Sequence, residues 1–218
     1  MNIFMLSKDP KEAARYHYNK HVVKMILECA QLLSTAHRVL DGKKMITESK
    51  TGRKQTVYKL DIFDEREEKL YKANHVNHPS AIWTRQCSAN YGYVYALYLA
   101  LIQEYKNRYP NMKKGKEIVD KPQHKSAELK IILAGLPNNI KRSAHIKWPD
   151  RSLQAMPDQY KDDCAIQAYR NYYLGEKDLE EYFIKRYEHN LGKVIENKIY
   201  IEQPPFVKEH LELSLRTA

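Results

Sequence analysis

The sequence predicts a mainly α protein, a single helical domain that carries an inserted β-hairpin. Two long stretches predict the helices: apolar residues recur at helical spacing from Pro10 to about Leu40 and again from Ser80 to Tyr109. Between them, "KKMITESKTGRKQTVYKLDI" sets β-branched residues on either side of a glycine. That is the pattern of a hairpin over about 43–61, with Gly52 at its tip. The length of 218 residues suits one domain with extensions and is enough to bury a substantial core.

Each element has a local reason. "NIFML" reads as a short strand or extended start that ends at "SKDP". Ser7 or Asp9 can cap a first helix in which Pro10 occupies the first turn, and "DG" stops it after Leu40. "DEREEKLYKAN" predicts a short charged helix and "HVNHPS" a loop. Ser80 is the expected cap of the longest helix, which should run unbroken to Pro110. "KSAELKIILAGL" predicts another helix, and "PNNIKRSAHIKWPDRSLQAMP" an irregular basic connection. A helix capped by Asp158 should end at Gly175, and "DLEEYFIKRYEHNLG" should form a further one. A C-terminal extension occupies about 178–218, in which "KIYIEQPPF" reads as a strand or arm.

Composition narrows the partners. The net charge is +10 and tyrosine dominates the aromatics, 17 against 4 Phe and 2 Trp. A basic, tyrosine-rich chain favours wet contacts with a polyanion, and nucleic acid is the expected partner, DNA before RNA. Cys29, Cys87 and Cys164 stand apart and form no CxxC pair, which fits a reducing, cytoplasmic setting better than a disulfide framework. No apolar run reaches the 18 or so residues that a membrane helix needs, and no signal peptide is evident. Oligomeric state is not legible.

Three groups of residues can carry chemistry. On one continuous helix His17, His21, Lys24 and Glu28 would fall within roughly 60° of arc, with Gln31 and Thr35 extending the line between apolar flanks. So narrow a polar stripe is either a slim solvent face, a polar seam between helices, or the wall of a cleft. As a cleft it offers Glu28 as acid or base with His17, His21 and Lys24 as cationic and proton-carrying neighbours. The two histidines at i, i+4 match one feature of metal-binding helices, but no third ligand follows, so no metal is assigned. The second group is "NHVNHPSAIWTRQ": His78, Trp83, Arg85 and Gln86 at a helix start, suited to phosphate and to base stacking, or else to capping around a buried tryptophan. The third comprises Tyr169, Arg170, Tyr173 and Lys177, aromatics with positive charge near a helix end, which suit a nucleic-acid strand or else core packing. A P-loop, a GxGxxG, a GxSxG elbow and a zinc cluster are all missing, and no cofactor is expected.

"DPKEAARYHYNKHVVKMILECAQLLSTAH", "NHPSAIWTRQ" and "YRNYYLGEK" resemble a family of small, largely uncharacterised proteins of tailed bacteriophages and large DNA viruses. The resemblance spans most of the chain outside the hairpin and the C-terminal forty residues. The order of segments is distantly similar to that of pyrimidine-dimer DNA glycosylases, which are small, basic and mainly helical. That similarity implies an amine that attacks the sugar C1′, with Glu28 in the position of the family's glutamate and His17 and Lys24 in that of its basic residues. The amines on offer are those of Met1, Lys20 and Lys24, unless the chain has no nucleophile. The expected function is therefore a phage-type enzyme that excises or modifies a flipped base in DNA. A non-catalytic nucleic-acid-binding protein and a metal-dependent nuclease or hydrolase are the alternatives.

Overall fold

The computed structural model describes residues 2–49, 51–109, 111–114, 117–120, 122–176 and 204–217. Its architecture is mainly α with an inserted hairpin, as the sequence predicts. In order, the helices are α1 (Pro10–Tyr16), α2 (Asn19–Asp41), a single turn α3 (Arg66–Lys69), α4 (Pro79–Arg85), α5 (Ser88–Arg108), α6 (Ala165–Glu176) and α7 (Pro205–Thr217). The antiparallel hairpin β1 (Lys43–Glu48) and β2 (Lys54–Lys59) follows α2, in a register that pairs Lys43 with Lys59 and Glu48 with Lys54. A second hairpin, β3 (Asn111–Lys114) and β4 (Glu117–Asp120), follows α5; nothing in the sequence reading anticipated it. The long helices α2 and α5 pack side by side, and α1 and α4 lie against them.

One contiguous apolar core runs from Ile3 to Val207. The segment Ile3–Leu6 is buried in it without regular secondary structure, and Leu6 N donates to the Phe4 carbonyl at 3.0 Å. Side chains replace the ladder: Arg170 Nε donates to the Leu6 carbonyl at 3.0 Å, and the Tyr93 hydroxyl to that of Ser7 at 2.7 Å.

Three helices expected to be continuous are interrupted or start late. The first breaks at His17 and Tyr18, both extended. There Arg108, from the end of α5, donates to the carbonyls of Ala14, Arg15 and His17, and so takes the acceptors that a continuing helix would use. The second breaks at Gln86 and Cys87. Asn90 Nδ2 binds the Trp83 carbonyl at 3.0 Å while its Oδ1 accepts from Lys147 N at 2.8 Å. Its cap is His78, whose Nδ1 accepts from Ser80 N at 3.2 Å, and Pro79 takes the first position. The third starts late: 158–160 is a separate 3-10 turn and α6 begins at Ala165. Gly175 does not end α6 but lies within it, where the Tyr160 ring packs so close that a Cβ would stand 2.3 Å from Cε1. The "KSAELKIILAGL" segment forms 3-10 turns, Lys125–Lys130 and Ile132–Ala134, in place of an α-helix. In the extension, "DLEEYFIKRYEHNLG" and all but the last three residues of "KIYIEQPPF" lie outside the described residues; α7 begins at Pro205, at the end of that stretch.

The end of α2 is held by Arg38, 3% exposed. Its guanidinium donates to the carbonyls of Tyr58, Glu67, Leu70 and Tyr71 and pairs with the Glu67 carboxylate at 2.5 Å. Glu67 Oε2 also accepts from Leu60 N at 2.8 Å, so one ion pair joins α2, β2 and α3. Next to it Gly42 has no room for a side chain: an added Cβ would lie 2.5 Å from the Arg38 carbonyl and 2.9 Å from that of Lys59.

Two stability predictions follow from this junction. Arg38→Met leaves the Glu67 carboxylate and several carbonyls without their donor; the expected loss is about 3–5 kcal/mol, or on the order of 10 °C in Tm by calorimetry. Gly42→Ala must move backbone on both sides and should cost about 1–3 kcal/mol in a urea titration. An unchanged midpoint in either variant would refute the packing described.

Candidate functional site around Glu28

The break at His17 reshapes the stripe. His21, Lys24, Glu28, Gln31 and Thr35 stay on one helix, but His17 caps α1 and turns into the core. It is 1% exposed and its Nδ1–H donates to the Ala13 carbonyl at 2.7 Å. Nε2 is then the bare acceptor nitrogen, buried with no donor among the described residues. Burial, with the Arg108 cation as a lesser cause, lowers its pKa to about 4. His17 is therefore neutral and packs on Phe4 and Tyr173, away from the Glu28 carboxylate's contacts. His21 stacks on Phe4 at 4.4 Å, and its Nδ1 shares a 2.7 Å hydrogen bond with the Tyr173 hydroxyl. Among the described residues no group of three or more His, Cys, Asp or Glu is placed to hold a metal ion.

Glu28 is the centre of what remains. It is 8% exposed, on the face of α2 that packs against α4 and the N-terminal segment. Oε2 accepts from the backbone nitrogen of Asn2 at 2.9 Å, and Oε1 lies 3.3 Å from Lys24 Nζ. Asn2 is held in turn: its Nδ2 donates to the Ala155 carbonyl at 2.9 Å, and its Oδ1 accepts from Ile3 N at 2.8 Å. A nearly buried carboxylate is thus met by one nitrogen on each oxygen, which offsets its desolvation. Lys24 is mostly exposed, so the pair opens to solvent on that side. His78, half-buried at the start of α4, has its pKa lowered mainly by burial, and the Glu28 charge opposes that shift. Asn2 was not among the residues expected here; a position at the chain's beginning has no periodicity to mark it.

The other expected residues divide differently. Trp83 is 1% exposed, meets Tyr93 edge-on, and donates its indole N–H to the Lys147 carbonyl. Tyr169 and Tyr173 are buried too, and Tyr173 stacks on Tyr18 at 4.5 Å. Burial raises both phenol pKa values. In this conformation all three rings are packing elements with no face left for a base. Arg170 is committed as well, bound to the Leu6 carbonyl and lying 5.1 Å over the Phe206 ring of α7. Gln86 is exposed, at 3.5 Å from Asn90 Nδ2. Arg85 is half-buried; its Nη1 is enclosed without an acceptor among the described residues, and desolvation lowers its pKa. Lys177 lies outside the described residues. Of the twelve residues expected from sequence, the structure therefore brings Lys24, Glu28 and His78 to one place, buries His17, Trp83, Tyr169 and Tyr173, and leaves His21, Arg85 and Arg170 partly covered and Gln86 exposed.

A cavity of about 780 Å³ lies elsewhere, beside His37, Asp64, Arg66 and Glu128. Its Arg66 is held by its neighbours: it pairs with Asp41 at 2.6 Å and Asp64 at 2.7 Å, and donates to His37 Nδ1 at 2.9 Å. His37 Nε2–H then meets the Tyr91 hydroxyl at 2.8 Å, which donates to the Leu133 carbonyl. Burial first, and the Arg66 cation second, lower the His37 pKa to about 4.

Compared with models of protein families, with curated proteins and with solved structures, the chain matches none. The class that fold and site define is thus a mainly α protein with a buried carboxylate against its N-terminal segment. Among the described residues no helix is long and apolar enough to cross a membrane.

The two neutral histidines set a pH dependence. An unfolded histidine titrates near 6.5, whereas His17 and His37 titrate near 4 when folded. Between these values the unfolded chain binds more protons, so stability is present above about 6.5 and falls as pH drops toward 4. Each histidine should cost on the order of 2 kcal/mol between pH 7 and pH 5. Urea midpoints across that range check it, and His37→Gln should remove its share of the slope.

Proposed function

We propose that this protein is a DNA-base-processing enzyme that works through an amine and the Glu28 carboxylate, in the manner of a DNA glycosylase with lyase-type chemistry. The observation that carries the reading is the placement of a nitrogen on each oxygen of a nearly buried carboxylate, Asn2 N at 2.9 Å and Lys24 Nζ at 3.3 Å. Excision by an amine needs a carboxylate beside the attacking nitrogen; of these two, Lys24 Nζ is the amine, and Asn2 N is a peptide nitrogen while Met1 precedes it. The nitrogen lone pair forms a bond to the sugar C1′, the bond from C1′ to the base breaks, and the electron pair leaves with the base, which takes up a proton. The attacking nitrogen must shed a proton, and the adjacent carboxylate is positioned to accept it and return it. Lys24 is the amine present in the chain as described. If Met1 is removed, the Asn2 nitrogen becomes a second primary amine at the same carboxylate. The target nucleotide would have to be extruded from a duplex to reach either.

The net charge of +10 supports a polyanionic substrate, and the cation that this site exposes is Lys24. A purely structural reading has its own support in the same geometry, since the Asn2 hydrogen bond also tethers the N-terminal segment. The two readings separate in Glu28→Gln. As acid and base, Glu28 accounts for about 10²- to 10⁴-fold in rate, so the variant should lose turnover while keeping its fold and DNA affinity. As a tether, Glu28 would give a variant with lower Tm and unchanged turnover.

The substrate assay is a panel of duplexes containing damaged and phage-type modified bases, with borohydride present to reduce any imine. Trapped protein–DNA adduct whose peptide map ends at Lys24 or at residue 2 is the expected result. No adduct and no base release across the panel would overturn the reading.

A further inference from the structure

The hairpin β1–β2 contributes little to the core. Of the residues in its strands only Thr47, Val57 and Tyr58 are even partly covered, and it joins the body through Gly42, the Tyr58 carbonyl and Leu60. Two isolated strands are marginal in water, so a ribbon of this kind is retained at a cost in stability unless something packs on it. Its sequence deepens the cost. Residues 43–59 carry six cations (Lys43, Lys44, Lys50, Arg53, Lys54, Lys59) against the single acid Glu48, half of the protein's net charge of +10. Lys43 and Lys59 stand directly opposite each other, a like-charge pair that destabilises the ladder. Among the described residues none of Lys43, Lys44, Arg53, Lys54 and Lys59 forms a salt bridge, although the same protein pairs Arg38, Arg66 and Arg108.

The two faces of the ribbon differ. The register puts Lys43, Met45 and Thr47 on one face with Gln55, Val57 and Lys59. This face contains no acid. It has a lysine on each strand at its base, hydrogen-bonding side chains at Thr47 and Gln55, and apolar Met45 and Val57 between them. The opposite face carries Glu48 and Tyr58 with Lys44, Ile46, Lys54 and Thr56.

We propose that β1–β2 is a DNA-binding arm that lies in the major groove of duplex DNA with its acid-free face inward. The groove is about 12 Å wide and admits a two-stranded ribbon. Lys43, Lys59, Lys54 and Arg53 meet phosphates on its two walls, while Thr47 and Gln55 reach base edges and Met45 and Val57 offer apolar contact to thymine methyl groups. The proposal rests on the nucleic-acid reading above but not on the chemistry at Glu28.

The test uses the full chain and fluorescence anisotropy on a labelled duplex from 50 to 300 mM salt. One variant joins Lys43→Gln, Arg53→Gln, Lys54→Gln and Lys59→Gln; a second joins Thr47→Ala and Gln55→Ala. The first should bind at least tenfold more weakly at about 100 mM salt, with the slope of log K against log salt reduced by roughly 0.9 for each lost phosphate contact. Its Tm should stay within a few degrees of the parent, because the replaced side chains are exposed. The second variant should keep the salt slope and lose preference among duplex sequences. If the parent binds duplex and the first variant binds it equally well with the same slope, the arm is overturned while the base-processing reading stands. If the parent binds no duplex at low salt, both fall together. If the four substitutions weaken single-stranded RNA, heparin and anionic vesicles as much as duplex, the ribbon is a general polyanion surface and groove docking is overturned.

Discussion

The buried guanidinium of Arg38 is the constraint on which the rest of the architecture depends. One side chain near the C-terminal end of α2 collects four backbone carbonyls and the Glu67 carboxylate, and thereby fixes where the chain goes after the helix ends. The hairpin's base, the α3 turn and the strand of chain leading to α4 are all referred to it. A buried cation is costly to desolvate unless every donor is used. That requirement makes the arrangement specific: a slip of one residue in β2 would withdraw the Tyr58 carbonyl and the Leu60 contact together. Arg108 performs the same operation at the other end of α2, where it terminates α1 and lets the chain turn.

Between these two guanidinium clamps, α2 presents its polar line to the N-terminal segment and α4. Glu28 sits where the N-terminal segment crosses that line. Its acceptors are satisfied by a backbone nitrogen and a lysine from two different parts of the chain, so the position couples the path of the N-terminal segment to the charge state of the carboxylate. The same segment is held from the far side by Arg170 and Tyr93. A cation that reads in sequence as a ligand for phosphate is thus spent on the backbone of residue 6. The tyrosine-rich composition resolves in a similar way: Tyr91, Tyr93 and Tyr98 bury their rings and donate their hydroxyls to internal carbonyls, Tyr173 shares a hydrogen bond with His21, and Tyr169 is buried beside them. A core built this way joins packing to hydrogen bonding, which favours one arrangement over looser alternatives.

Charge in this protein is accordingly of two kinds. Arg38, Arg66 and Arg108, near helix ends, are held by several internal partners each, and Arg170, within α6, binds the Leu6 carbonyl and the Phe206 ring. The cations of the hairpin, together with Lys24, project into solvent. The net charge of +10 therefore overstates how evenly the surface is basic, and the excess is displayed where it costs the core least.

The sequence by itself determined the helical class, the hairpin over 43–61 with its glycine tip, and the alignment of His21, Lys24 and Glu28. Those features rest on period and local turn chemistry, which act within a few residues. It did not determine where helices break, because the agents are side chains more than 50 residues away or held by loops: Arg108 ends α1, and Asn90 with the Lys147 segment ends α4. The stripe looked continuous through His17 for that reason. Nor could it separate packing aromatics from exposed ones at Trp83, Tyr169 and Tyr173, since helical spacing is the same whether a ring faces a core or a ligand. Asn2 joined Glu28 only in three dimensions. A hydrogen bond across 26 residues leaves no periodic trace, and only the folded path of the N-terminal segment across α2 creates it.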